Sequence, residues 1–242
     1  MTNKINNVFI TKETIKRLAK DVKDIYENPL EQHGIYYIHS DDDILSGQAL
    51  IIGPKNTPYC YGNYLFTIKF PSNYPSKPPS VTYHTNDGVT RFNPNLYRSG
   101  KVCISILNTW KGPQWTSCQT ISSILLSLCA SVLNDTPLLN EPGITINHAD
   151  YDNYNKIITY KNYEIAIADI IINDKVKINF PELHEIIKKT FLENYNDILF
   201  NLEKNDHLND KIIETQIYKM KIKTSYKNVK NKIKNIYKLL KN

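Results

Sequence analysis

The sequence predicts an α+β fold: an N-terminal helix, a four-stranded antiparallel meander, a long irregular loop, a crossover helix and a C-terminal helical extension. Three observations support this prediction. Apolar residues recur at helical spacing over residues 11–27, four short runs rich in β-branched and aromatic residues follow, and helical periodicity returns after residue 119. Consecutive strands with short connections usually pair as antiparallel neighbours, so helices are expected before and after one sheet.

The first helix is predicted from Thr11 to about Glu27, with a stop at Asn28-Pro29. Its apolar residues share one face, as in a helix packed on a sheet. The opposite face is basic, and it carries Lys12, Lys16, Arg17, Lys20 and Lys23. Such a face is ordinarily the solvated side of an amphipathic helix.

The four predicted strands span residues 35–40, 45–53, 64–70 and 80–85, and Asp-, Gly- and Pro-rich turns separate them. From residue 85 to residue 116 there is almost no periodicity, although both tryptophans lie there. Long irregular segments inside compact domains often carry function. Helices are predicted again over residues 119–133 and 154–172.

The net charge of +6 divides unevenly along the chain. Residues 1–172 hold 15 Lys and Arg against 15 Asp and Glu, whereas residues 173–242 hold 15 Lys against 9 acids. We therefore predict an N-terminal tail (1–10), a neutral domain (11–172) and a basic helical extension (173–242). In the extension, Pro181 is expected to begin a helix, and apolar spacing predicts a last helix from Ile222 to Leu240.

A basic amphipathic helix of this kind could bind a membrane surface, nucleic acid, an acidic partner or an acidic substrate. Alternatively, it is a lysine-rich solvated helix whose apolar stripe packs on the preceding helix or forms a dimer seam. The chain holds 27 Lys against three Arg and is rich in Ile, Asn and Tyr. This AT-biased composition, which many large DNA viruses and some protists share, weakens any functional argument from lysine count and suggests a viral source acting in a host cell.

Composition excludes several classes of protein. With 41% hydrophobic and 22% charged residues, the chain has enough apolar material for a core and is not disordered throughout. The four cysteines form no CxxC pair and have no His at ligand or hydrolase spacing, so neither zinc nor a cysteine protease is expected. Residues 112–134 carry no charge, but Pro113 and several polar residues favour a buried helix over a membrane span. No signal peptide is evident, so we expect an intracellular protein of the cytoplasm or nucleus.

The segment RFNPNLYRSGKVCISIL (91–107) carries the most specific pattern. Asn95 precedes Cys103 by eight residues, after the turn YPSKPP (74–79) and before Trp115 and the helix ISSILLSLCASVL. Together with GQALIIGPKNTPYCYGNYLFTIKFPSNYPSKPPSV, this pattern resembles the catalytic domain of ubiquitin-conjugating enzymes over roughly residues 11–172. The family's His-Pro-Asn tripeptide is Asn93-Pro94-Asn95 here. Within this family, the sequence most resembles the Z-type enzymes and the giant BIR-repeat conjugator. The features shared with that branch are the Asn93-Pro94-Asn95 tripeptide, the long loop LNTWKGPQW, the motif NEPG and the helix at 153–172.

The resemblance implies the UBC fold, with an active-site loop around Cys103, and a thioester chemistry. Cys103 would receive ubiquitin or a ubiquitin-like modifier from an activating enzyme and pass it to a lysine amine of a protein substrate. A thiol suits this exchange because sulfur is nucleophilic and also leaves well. No metal or bound cofactor is implied, since ATP is used only by the upstream activating enzyme.

Other site residues follow from the same resemblance. Asn95 would hydrogen-bond the oxyanion of the tetrahedral intermediate or hold the active-site loop. Glu141, before a proline, would be the gate acid that orients the incoming lysine and favours its neutral form. Asn93 and Ser105 are assigned supporting positions.

The resemblance also implies partner surfaces. Lys16, Arg17 and Lys20 match positions that dock on an acidic surface of the activating enzyme. The ligase-contacting loops depart from the family pattern, with Ser76 in the first and Ser117-Cys118 in the second, which suggests a restricted set of ligases or direct transfer to substrate. Donor ubiquitin is expected on Ser123, Leu126 and Ala130, although Leu126 would fit a core equally well. Two alternatives stay open: a catalytically inactive UBC-fold scaffold, and an interaction protein that acts through its basic C-terminal helices.

Overall fold

Four antiparallel strands form the central sheet in the order β1-β2-β3-β4, with one helix before them and helices after them. The computed structural model describes residues 9–241. The elements are α1 (Lys12–Glu27), β1 (Ile35–His39), β2 (Ser46–Ile52), β3 (Asn63–Lys69), β4 (Ser80–Tyr83), α2 (Ile121–Ser127) and α3 (Tyr151–Lys161). This arrangement confirms the predicted α+β fold and its meander. Residues 1–8 of the predicted N-terminal tail lie outside the described residues.

Local signals set the helix boundaries. The hydroxyl of Thr11 accepts a hydrogen bond from the Thr14 backbone N–H at 3.1 Å and caps α1, and α1 ends just before Pro29. A π-helical turn, Leu128–Val132, continues α2. A second π-helical stretch, Asn162–Asp169, continues α3 into α4 (Ile170–Ile172).

The sheet is buried on both faces. Ala49 of β2 and its partner Phe66 of β3 belong to a first hydrophobic core with α1, α2 and α3. The next pair, Leu50 and Leu65, points the other way into a second core. Because side chains alternate along a strand, the two faces can be covered by different parts of the chain.

The C-terminal extension supplies the cover for the second face. It comprises α5 (Asp174–Asn179), α6 (Pro181–Glu203), β5 (Ile212–Thr215), β6 (Met220–Lys223) and α7 (Tyr226–Lys241). Pro181 stands in the first turn of α6, as predicted. The buried residues of the two long helices join the second core: Leu183, Ile187, Phe191, Ile198, Leu202, Tyr226, Val229, Ile233 and Ile236.

The extension is mainly helical, as predicted, with two differences in detail. It also contains an antiparallel hairpin of β5 and β6, which the periodicity did not predict. Ile222 lies in β6 and not in the last helix, which begins at Tyr226. The hairpin also reaches the first core, where Ile213 and Met220 are buried. The extension therefore shares both hydrophobic cores with residues 11–172.

No helix among residues 9–241 is long and apolar enough to cross a membrane. The uncharged segment 112–134 instead contributes buried residues of α2 and its continuation to the first core, including Ile124, Leu125 and Leu128.

Candidate active site

Cys103 lies just before a short 3-10 turn, Ser105–Leu107, and the residue is only 3% exposed. Its backbone N–H donates to the carbonyl oxygen of Asn95 at 2.9 Å. In return, the Asn95 side-chain Nδ2 donates to the Cys103 carbonyl oxygen at 2.6 Å. This reciprocal pair brings the two residues that stand eight apart in the sequence into direct contact.

Asn93 ties the same loop to the first core. Its Nδ2 donates to the hydroxyl of Tyr59 at 3.1 Å and to the carbonyl of Val132 at 2.8 Å. Its Oδ1 accepts from the Asn95 backbone N–H at 2.8 Å. The side chain is fully buried, so these bonds also satisfy polar atoms that would be costly to leave unpaired.

Asn140 is a site residue that sequence reasoning missed. Its Nδ2 donates to Asn95 Oδ1 at 2.9 Å and to the Ser131 carbonyl at 2.8 Å, and it lies 3.3 Å from Asn93 Oδ1. It belongs to the motif NEPG, in which nothing distinguishes this asparagine as a site residue. Asn140 therefore joins the loop before Glu141 to both asparagines of the active-site loop.

These contacts define what the Asn95 amide can do. Asn140 holds its oxygen, so its nitrogen faces the Cys103 backbone. One of the two N–H groups is used there, and the second has no protein partner among the described residues. The arrangement can both hold the active-site loop and offer one donor to an oxyanion.

Glu141 follows directly and is half-buried. Its Oε2 accepts a hydrogen bond from the hydroxyl of Tyr218, which lies between β5 and β6 of the extension. The next residue, Pro142, lines a cleft of about 510 Å³ together with the loop after Cys103. The lining residues of this cleft are Asn108, Thr109, Trp110, Lys111, Gln114 and Pro142.

The loop that forms this cleft is held in place by its own hydrogen bonds. The side-chain oxygen of Asn108 accepts from the Trp115 backbone N–H at 2.8 Å. The Thr109 hydroxyl accepts from the Ile104 backbone N–H at 3.0 Å. Ser105 is half-buried against Gly112, where an added Cβ would lie 3.0 Å from the Ser105 Cβ. Ser105 is thus in contact with the loop after the cysteine.

The basic face of α1 is only partly free. Lys16 and Lys20 are exposed. Arg17 is engaged: its Nε donates to Asp21 at 2.8 Å, and its guanidinium also donates to the carbonyls of Ser117 and Gln119. Arg17 therefore joins α1 to the loop at residues 117–119, which includes the predicted ligase-contacting residues Ser117 and Cys118, whereas Lys16 and Lys20 project into solvent.

The predicted ligase-contacting residues Ser76, Ser117 and Cys118 are all exposed, and the two loops touch. Trp115 Nε1 donates to the Pro75 carbonyl at 2.7 Å, and the Ser117 hydroxyl lies 3.3 Å from the same oxygen.

On α2 and its continuation, Leu126 is 39% exposed and Ala130 is exposed, so Leu126 is a surface residue and not part of the core. Ser123 is half-buried, and its hydroxyl accepts from the Thr120 backbone N–H at 2.9 Å in a capping box.

Comparison with known proteins gives a consistent result. The family described as Ubiquitin-conjugating enzyme matches residues 17–162. The chain is 38% identical over 194 residues to "Ubiquitin-conjugating enzyme E2 Z" of Danio rerio, covering 78% of this chain and 57% of that protein. It is 39% identical over 187 residues to the Homo sapiens protein of the same name, covering 76% of this chain and 51% of that protein. It is 33% identical over 192 residues to "Probable ubiquitin-conjugating enzyme E2 R521" of Acanthamoeba polyphaga mimivirus, covering 76% of this chain and 13% of that protein. The chain thus spans about half the length of the E2 Z relatives.

Proposed function

Since this chain belongs to the ubiquitin-conjugating enzyme family, with similarity to the Z-type branch as predicted, we propose that it conjugates ubiquitin or a ubiquitin-like modifier to protein lysines. The observation that carries the proposal is the reciprocal pair of hydrogen bonds between Cys103 and Asn95. It presents a cysteine whose backbone N–H is held by the Asn95 backbone carbonyl and whose carbonyl oxygen is held by the Asn95 side chain.

The proposed reaction has two acyl transfers. In the first, the Cys103 thiolate attacks the thioester carbonyl that joins the modifier to the activating enzyme, and the activating enzyme's cysteine leaves as a thiolate. In the second, a neutral lysine amine attacks the Cys103 thioester, an amide bond forms, and the Cys103 sulfur leaves. Neither step needs a metal or a cofactor bound to this chain, because the activating enzyme has already used ATP to make the first thioester.

Asn95 and Glu141 are proposed to act in the second transfer. The free N–H of Asn95 would donate to the oxyanion of the tetrahedral intermediate, and removing such a donor typically lowers the rate by about 100- to 1,000-fold. Glu141, next to the cleft beside Pro142, would orient the lysine and favour loss of its proton. Asn93 and Asn140 would keep the loop in shape for both steps, and Ser105 would support the loop after the cysteine.

The partner surfaces are proposed on the same premise. Lys16 and Lys20 would attract the acidic surface of the activating enzyme, with Arg17 contributing less because its guanidinium is already paired. Ser76, Ser117 and Cys118 would meet a restricted set of ligases. Donor ubiquitin would pack on Ser123, Leu126 and Ala130, of which Leu126 offers exposed apolar surface.

For the extension, a structural role is favoured over nucleic-acid or membrane binding. The apolar stripe of α7 is buried, and two of its lysines are paired: Lys230 with Glu203 at 2.8 Å, and Lys232 with Asp169. We propose that residues 11–172 form the conjugating domain and that residues 173–242 complete its packing. Similarity to a mimivirus protein and the AT-biased composition support a viral source, with action inside a host cell.

A thioester assay tests the proposed function. The full chain is incubated with an activating enzyme, ATP and ubiquitin, and the reaction is repeated with other modifier and activating-enzyme pairs. We expect an adduct that thiol reductants remove, no adduct with Cys103→Ala, and a reductant-resistant oxyester with Cys103→Ser. Cys60→Ala, at a half-buried cysteine in the β2–β3 turn, is the matched control and should charge normally. An adduct that persists in Cys103→Ala, or no adduct with any pair, would contradict the proposal.

A further inference from the structure

We propose that Tyr218, in the hairpin of the C-terminal extension, is a positioning residue that holds Glu141 for transfer to the lysine. The inference rests on the proposed function and extends it, because it assigns to the extension a part in the second acyl transfer. Tyr218 lies 77 residues after Glu141 in the sequence, and nothing in the cysteine motif points to it.

The contact itself leaves Glu141 usable. The Tyr218 hydroxyl donates to Glu141 Oε2. The other oxygen, Oε1, has no hydrogen bond to any of the described residues. A carboxylate can accept several hydrogen bonds, so fixing one oxygen sets the direction of the group and leaves the second oxygen for an incoming amine.

The turn that carries Tyr218 is held from several sides. Tyr218 and Lys219 both have positive φ, 59° and 50°, a conformation that ordinary L residues rarely adopt. The Tyr218 carbonyl accepts from Arg98 Nη2 at 2.6 Å, and the preceding Ile217 N–H donates to Asp150 Oδ2 at 2.8 Å. Strained backbone persists where surrounding contacts over-determine it and is concentrated at functional sites.

A second link joins the tyrosine to the active-site loop. The guanidinium of Arg91 lies 5.0 Å from the centre of the Tyr218 ring and 3.6 Å from that of Tyr97. The same guanidinium donates to the carbonyls of Asn93 at 3.1 Å and Pro94 at 2.7 Å. Arg91 therefore places the hairpin, the Asn93-Pro94-Asn95 turn and Glu141 in one connected group.

The electrostatic surroundings keep Tyr218 a donor. Burial and the hydrogen bond to Glu141 raise the pKa of Tyr218, so its hydroxyl keeps its proton at neutral pH. The titratable or charged groups that face it are Glu141, Arg91, Tyr97 and Tyr154.

The test uses the full chain with Tyr218→Phe, which removes the hydroxyl and keeps the ring packed on Arg91 and Tyr154. The thioester on Cys103 is formed first, activation is stopped, and discharge is followed in a single turnover with free lysine and, separately, with hydroxylamine. Hydroxylamine is already neutral at neutral pH, so no proton has to be removed from its nitrogen before it attacks.

We expect normal charging, lysine discharge slowed by about 5- to 50-fold, and hydroxylamine discharge unchanged. The slowing should stay below the loss of about 100-fold or more expected for Glu141→Gln. The rise of the lysine discharge rate with pH should move to higher pH in Tyr218→Phe. In the Glu141→Gln background, Tyr218→Phe should add no further slowing, because its effect runs through the carboxylate.

Tyr61→Phe is the matched control, since it also removes a tyrosine–carboxylate hydrogen bond, to Asp197 at 2.9 Å, but in the second core. It should discharge lysine like the wild type. Wild-type discharge in Tyr218→Phe, equal slowing with lysine and hydroxylamine, or full slowing in the Glu141→Gln background would each overturn the inference. Failure of the wild type to charge would instead refute the proposed function.

Discussion

Replacing Asn140 by alanine tests whether the site depends on the asparagine that the cysteine motif does not include. Asn140 stands between Glu141 and the active-site loop and donates to Asn95 Oδ1 and to the Ser131 carbonyl. Alanine removes both of these bonds, and also the bond that Asn140 Oδ1 accepts from Asn134 Nδ2 at 3.0 Å. It leaves the Asn95 amide without the bond that fixes its orientation, so the Asn95 nitrogen can turn away from the Cys103 carbonyl.

The size of the effect follows from the bonds lost. The two donated bonds are 2.9 and 2.8 Å long, and a typical protein hydrogen bond contributes about 0.5–1.5 kcal/mol net. Loss of these two donated bonds in Asn140→Ala should therefore cost about 1–3 kcal/mol. If the whole of this is felt in the transition state, lysine discharge slows by about 5- to 150-fold, since 1.36 kcal/mol is tenfold in rate. Asn140→Asp should be at least as slow, because its carboxylate would face the oxygen atoms that now accept from the amide.

The assay is single-turnover discharge of the Cys103 thioester to free lysine, together with urea unfolding of each variant. The control is Asn194→Ala in α6, another half-buried asparagine that donates to a backbone carbonyl, that of Thr190 at 2.8 Å. The control should be somewhat less stable than the wild type, but it should discharge lysine at the wild-type rate. If Asn140→Ala and Asn194→Ala discharge lysine at the same rate, Asn140 does not position Asn95 and the reasoning is wrong.

Two further predictions concern stability. Asn162→Leu should lower the free energy of unfolding, measured by urea titration, by about 1–3 kcal/mol or more. The reason is that the Tyr64 hydroxyl and the Cys60 carbonyl, which lie 2.7 and 2.9 Å from the Asn162 amide, would lose their hydrogen-bond partner. Unchanged stability would contradict this prediction. Burial alone would raise the pKa of Asp87, but the hydrogen bonds that it accepts from Thr90 help to lower this pKa below its ordinary value. The ionised Asp87 therefore stabilises the fold above the unfolded-state pKa of aspartate, and this stabilisation is lost as pH falls through the lower folded-state pKa. Asp87→Asn should therefore reduce the acid-side loss of stability measured by unfolding at a series of pH values, and an identical acid limb would exclude a role for this carboxylate.

Much of the fold was predictable because its signals are local. Thr11 and Pro29 delimit α1, alternating residues mark the four strands, and Pro181 begins α6. The apolar stripe of α7 also follows from its spacing, since Val229, Ile233 and Ile236 are all buried.

The hairpin of the extension was missed for a physical reason. Its turn places Tyr218 and Lys219 in the left-handed region, which is usually marked in a sequence by Gly, Asn or Asp. Its strands are only four residues long, and Ile222 of β6 happens to continue the helical spacing of α7. The turn is fixed by tertiary contacts, such as the hydrogen bond from Arg98 to the Tyr218 carbonyl, and no local sequence pattern predicts them.

For the site, the cysteine motif brought Cys103, Asn95 and Asn93 together, and the structure places them in contact. The contacts that Asn140 and Tyr218 make could not be predicted, because a single polar residue in a loop has no spacing pattern that marks it. The division of charge along the chain says nothing about packing, and the basic extension shares both hydrophobic cores with residues 11–172.

The late position of Tyr218 has a consequence for the timing of synthesis. Glu141 and its partner are separated by 77 residues, which a ribosome adding roughly 5–20 residues per second needs roughly 4–15 s to make. During that interval a nascent chain already contains Cys103, Asn95 and Asn93, but Glu141 still lacks the hydrogen bond from Tyr218. A message truncated after the helix α3 would therefore encode Cys103 and Glu141 without Tyr218, and also without the helices that cover the second face of the sheet.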